Sequence, residues 1–234
     1  MRKLHILLTL SSLNVILVSI ERFSPTTQIL LQPDNFLRLH EVVQMTTLIL
    51  FTVIIPALVL QDLTDNFSLL RSRAGAALGL LFLIGVYFYA TGNGLHEVAS
   101  FLFNQYCPTD HFDSAICKSM FMDDYYTGNI LYFIGAWAFT VPLLIFEQMK
   151  PRDPIANTDI GLIAVNSIFF ALAIVAYAGF DRVVVGFVFS VIMLITALLL
   201  FIRARGNYRT LPYTLYTVLA YTLGLAGSLI VRLR

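Results

Sequence analysis

Residues Ala74–Ser100 read AGAALGLLFLIGVYFYATGNGLHEVAS, and this stretch decides the fold. From Ala74 to Leu95 it carries no charged side chain. As a helix rising ~1.5 Å per residue, that run is long enough to cross the ~30 Å hydrocarbon core of a bilayer. Where the apolar part runs out, Asn93, His96, Glu97 and Ser100 bring an amide, an imidazole, a carboxylate and a hydroxyl close together. The tetrapeptide Leu-His-Glu-Val occurs again at Leu39–Val42, at the opening of the preceding apolar run. Two of the four histidines and two of the four glutamates are committed to these two places, so they are the first candidates for chemistry.

Working outward, the same pattern repeats along the chain. Hydrophobic residues make up 58% of the 234 residues and charged ones 12%, with mean hydropathy +0.80, which excludes an ordinary water-soluble domain. Uncharged runs predict an all-α, polytopic membrane protein of one domain (1–234), with spans near Leu4–Ile20, Val42–Leu60, Ala74–Leu95, Tyr125–Phe146, Ile160–Phe180, Val183–Ile202 and Thr210–Val231. Helices are required because an isolated strand in lipid leaves its backbone groups unpaired, and these runs lack the alternation of barrel strands. The first run lacks a small-x-small cleavage site before Glu21-Arg22, so it reads as a retained span rather than a removed signal.

Lys and Arg set the expected orientation. One set of connections holds nine of them (Arg2, Lys3, Arg71, Arg73, Lys150, Arg152, Arg203, Arg205, Arg209) and the other six, which puts the N-terminus in the cytoplasm and the C-terminus outside. The expected location is a plasma or inner membrane. Two long connections, 21–37 and 96–124, then lie outside. The second holds both cysteines, Cys107 and Cys117, whose spacing and compartment favour a disulfide. Metal ligation with the intervening His111 is the rival, although the spacing matches no standard zinc motif. The net charge of +1, without a dense basic cluster, gives no reason to expect a nucleic-acid partner.

An antiparallel pairing puts the start of the second span and the end of the third at one depth. His40 and Gln44 are one turn apart, as are Asn93, His96 and Ser100, and the fourth span opens there with Asp123-Asp124. Ionisable groups brought together at such a depth are functional candidates. Two imidazoles with carboxylates suit zinc or iron, with His40, His96 and Asp123 as ligands and Glu41, Glu97 and Asp124 as ligands or general base. The resulting expectation is a metal-dependent enzyme acting on a lipid or other apolar substrate. A b-type haem held by His40 and His96 is one alternative. A transporter or a subunit of a membrane complex is another. For single residues the bland readings are hydration at a helix end and an N-terminal cap. Gly92-Asn93-Gly94 reads either as a kink or as a close approach to the second span. Glu147 reads as an acid facing water, and His5 and His111 as solvated or interfacial.

Span count invites two comparisons, and both fail at their defining residues. Retinal proteins need a lysine in the last span, but the lysines here are Lys3, Lys118 and Lys150. Alkaline ceramidases and adiponectin-receptor hydrolases carry a histidine pair in the last span, whereas no histidine follows His111.

Overall fold

The structure is a computed structural model and describes residues 1–107, 113–205 and 207–234; His111 lies outside the described residues. Seven helices are long and apolar enough to cross a membrane: α1 (Arg2–Phe23), α2 (Leu39–Leu63), α3 (Arg73–Tyr106), α4 (Ala115–Met149), α5 (Asn157–Gly179), α6 (Val185–Arg203) and α7 (Pro212–Arg232). Among the described residues the only strand-like pairing is a single bridge between Leu30 and Arg38. The outer faces expose large apolar side chains such as Leu80, Leu83, Leu172, Ile195 and Leu199. Water does not tolerate so much contiguous apolar surface, and a bilayer does. The fold is that of a multi-pass membrane protein.

Helix lengths depart from the apolar runs in one consistent way. The predicted connection 96–124 is largely helical, because α3 continues to Tyr106 and α4 already begins at Ala115. Likewise α1 continues to Phe23 and α2 begins at Leu39. Hydropathy marks where lipid ends, but a helix continues wherever its side chains still find partners. Phe101 and Phe103 are both buried beyond the predicted end of α3. A disulfide between Cys107 and Cys117 then ties the end of α3 to the start of α4.

Lipid tails are as apolar as leucine, so helix association in a bilayer relies on close packing rather than on water expulsion. The two most extensive pairings are α3 with α4 and α5 with α7. In the first, Gly85 and Gly92 of α3 meet Gly128 and Gly135 of α4. A Cβ on Gly92 would stand 2.2 Å from the Tyr132 nitrogen, so the two backbones touch there. α3 runs unbroken through Gly92-Asn93-Gly94, and the close approach is to α4, not to α2. Gly94 faces open space. In the second pairing, Gly224 seats on Ile174 and Gly227 on Val175.

Two π-helical turns interrupt the ladder, Gln44–Leu48 within α2 and Asp123–Gly128 within α4. Such turns are rare and concentrate at functional sites. Both fall at one end of the bundle, which also holds the C-terminal ends of α1 and α3.

The opposite end corrects the reading of Glu147. Rather than facing water, it is fully buried. Its carboxylate accepts hydrogen bonds from the backbone N–H groups of Tyr213 and Thr214, both at 2.7 Å, and from the Thr214 hydroxyl at 2.8 Å. Pro212 opens α7 without an N–H to satisfy, and the next two orphan donors converge on this one acid. The favourable end of the helix dipole adds to the fit. At this end His5 pairs with Asp159 at 2.6 Å, and Arg152 with Asp62.

Candidate functional site

The connection from α1 to α2 folds back on the helix it precedes. The carbonyls of Ile29 and Thr27 accept from the N–H groups of Leu39 and His40, each at 2.8 Å, so loop backbone satisfies the first donors of α2. Arg38 holds the next residue in place. Its backbone N–H donates to one oxygen of Glu41 at 2.9 Å, and its guanidinium Nε donates to the other at 2.8 Å. The same guanidinium lies 5.7 Å from the centre of the Phe101 ring. Glu41 is thereby buried with both oxygens engaged, and it fixes the entry to α2.

His40 follows immediately. Its Nδ1 lies 2.8 Å from both carboxylate oxygens of Glu21, which stands on the last turns of α1. Its Nε2 faces Glu97 of α3 across 3.9 Å. Glu97 is buried, yet among the described residues no protein donor reaches it with a hydrogen bond. A carboxylate on Nδ1 keeps the proton on that nitrogen, so the lone pair of Nε2 is presented to Glu97.

His96 is placed by the glycine contact. A Cβ on Gly128 would lie 2.8 Å from the His96 backbone nitrogen, so α4 presses directly against that turn of α3. The imidazole Nδ1 lies 3.0 Å from the backbone carbonyl of Asp124 and 2.9 Å from its Oδ1. The carbonyl accepts the aligned hydrogen bond, and the carboxylate oxygen contributes as a near charge without an aligned donor. At the same end, burial raises the carboxyl of Asp181, in the turn between α5 and α6, above the usual carboxylate range.

These groups enclose a cavity of about 210 Å³, lined by Arg22, Arg38, His40, Glu41, His96 and Glu97, with Ser100 and the exposed Asn104 further towards the end of α3. Four of the six candidates therefore share one cavity: His40, Glu41, His96 and Glu97. Asp124 reaches it only through His96. Asp123 opens the π turn and is not part of the lining. Among the described residues no group of three or more His, Cys, Asp or Glu side chains is arranged to hold a metal ion.

Sequence reasoning missed Glu21, Arg22 and Arg38. Glu21 closes the first apolar run, and the alternation of spans already puts it at the same end as His40. Assigning it to a loop hid that signal. Comparison with protein-family models, curated proteins and solved structures gives no match.

Proposed function

We propose that the chain is a membrane-embedded enzyme that carries out acid–base chemistry on the headgroup of a lipid or another amphiphile. The observation that carries this reading is the line Glu21–His40–Glu97. One carboxylate holds Nδ1 and fixes the tautomer, which leaves Nε2 open towards a second, unpaired acid in a polar cavity. In this role His40 takes a proton from water or a substrate hydroxyl, Glu21 steadies the imidazolium that forms, and that same proton passes by way of the Glu97 carboxylate to the departing group, which returns both side chains to their starting state. His96, held by Asp124, and the arginines at the rim orient the polar part of the substrate. The charge bias of the connections and the disulfide both support an outward-facing cavity with the N-terminus in the cytoplasm.

The test is headgroup turnover by the purified protein in nanodiscs made from total polar lipids, followed by mass spectrometry. His40→Ala and Glu21→Gln are expected to slow turnover by about 10²–10⁴. Wild-type rates in His40→Ala, or no turnover by the wild type, overturn the reading.

One observation favours a second reading, in which His40, His96 and Glu97 would close up around zinc or iron, although as they stand they are not arranged to hold it. Both imidazoles are held through Nδ1, as metal-ligating histidines commonly are. Elemental analysis separates the two readings. Stoichiometric metal that is lost in His96→Ala supports the metal centre, and full turnover by metal-free protein excludes it. A haem is less well served, because charged side chains line the space that an apolar porphyrin would occupy.

A further inference from the structure

A second cavity lies in the interior of the bundle and shares no lining residue with the polar one. Its volume is about 140 Å³, and all seven helices contribute to its wall. An apolar cavity of roughly 150 Å³ is large enough to take up benzene. Here the wall is dominated by rings. Phe133 and Phe189 stack with centroids 4.5 Å apart, and Tyr89 and Tyr132 stack at 4.4 Å. Ring edges and faces at those spacings favour a flat guest over an alkyl chain.

Most of the polar atoms in the wall are already used. The hydroxyls of Tyr89 and Tyr132 pair at 3.0 Å, and the Thr217 hydroxyl donates to the Tyr213 carbonyl at 2.9 Å. Two are not used. Asn14 of α1 and Tyr216 of α7 are 5% and 6% exposed, both line this cavity, and neither the Asn14 carbonyl oxygen nor the Tyr216 hydroxyl has a hydrogen-bond partner. A buried polar group left without a partner is costly, and such atoms as a rule have something to bind. The carbonyl needs a donor, and the hydroxyl can give or accept.

We propose that this cavity is a binding site for a small aromatic ring bearing a hydroxyl, of the phenol class, held by Asn14 and Tyr216. The guest's hydroxyl donates to the Asn14 carbonyl and accepts from the Tyr216 hydroxyl, while its ring packs among the aromatic side chains. Fluorine NMR of the full chain in micelles, titrated with 4-fluorophenol or with fluorobenzene, tests the assignment. Saturable binding of 4-fluorophenol is expected. Asn14→Leu, which keeps the branched skeleton of asparagine without the acceptor, is expected to weaken 4-fluorophenol by about tenfold while weakening fluorobenzene far less. Ala136→Leu, which fills the cavity from α4, is expected to abolish saturable binding of both. Should Ala136→Leu fail to fold, the Asn14→Leu comparison decides alone. Unchanged 4-fluorophenol affinity in Asn14→Leu overturns the proposal. So does wild-type protein that shows only non-saturable partition into micelles, the result expected if the two polar atoms are met by internal water.

Discussion

Each end of the bundle buries a glutamate, and the two are treated in opposite ways. Glu147 has three donors within 2.8 Å, which knit the end of α4 to the start of α7. Glu97 is nearly as buried but borders a cavity, and the His40 Nε2 that faces it lies 3.9 Å away, beyond hydrogen-bond reach. A buried carboxylate whose oxygens are saturated by backbone donors has no capacity left for a substrate. One that faces an open polar space retains it. Degree of burial therefore does not separate structural acids from reactive ones; the inventory of partners does.

The strongest way to break the comparison is Glu147→Leu. It strands two helix-terminal N–H groups and a hydroxyl, and should cost at least about 3 kcal/mol. Thermal unfolding in detergent, read from the single tryptophan Trp137, should show a large loss of stability or no folded protein at all. Glu147 is a surface acid if the transition temperature holds.

Next in size is Gly92→Ala. The added methyl meets the α4 backbone, and overpacking of this kind costs about 1–3 kcal/mol. Because the same interface seats His96 beside Asp124, the variant should also disturb that contact, which histidine ¹⁵N NMR can follow. A stable variant with unaltered His96 resonances would mean that the glycine contact does not position the site.

Glu97→Gln is the sharpest contrast with Glu147. It removes an unpaired buried charge without changing volume, so stability should stay within about 1 kcal/mol of wild type or rise. Headgroup turnover should nevertheless collapse. A large loss of stability would place Glu97 in the structural class and remove the contrast.

The smallest effect is expected at a third carboxylate, Asp65, exposed beside Lys150 at 2.8 Å. The lysine ammonium holds its carboxyl below the usual range. A lowered folded-state value stabilises above the unfolded value and is lost as pH falls through the folded one. Asp65→Asn should therefore remove a small stabilisation at neutral pH, and its unfolding curve should converge with that of wild type as pH falls below about 4.

Much of the architecture was legible because lipid imposes a single rule, that uncharged runs become helices. The two Leu-His-Glu-Val copies also revealed which end of the bundle concentrates polarity, and His40, Glu41, His96 and Glu97 do line one cavity there. Their division of labour was not legible. Glu41 and Glu97 occupy equivalent places in identical tetrapeptides, yet Arg38 engages the first while the second faces the cavity. That difference depends on the residue before the motif and on the helix opposite, neither of which is part of the repeat. Glu147 was misread because its partners are backbone N–H groups 66 and 67 residues away, which leave no mark in local sequence. The glycine interface was not legible: Gly85 and Gly92, then Gly128 and Gly135, each stand seven apart, and the match shows only once α3 and α4 are paired.

The two π turns have a consequence for how such a site arises. Each wide turn absorbs one more residue than an α-turn would, so it behaves as a single-residue insertion taken up without breaking the helix. Removing one residue from Gln44–Leu48 and one from Asp123–Gly128 would restore uniform α-helices and keep the lipid-facing sequence beyond each deletion in register. The two wide turns thus let the polar end carry one extra residue in α2 and one in α4 while the apolar scaffold beyond them keeps its register.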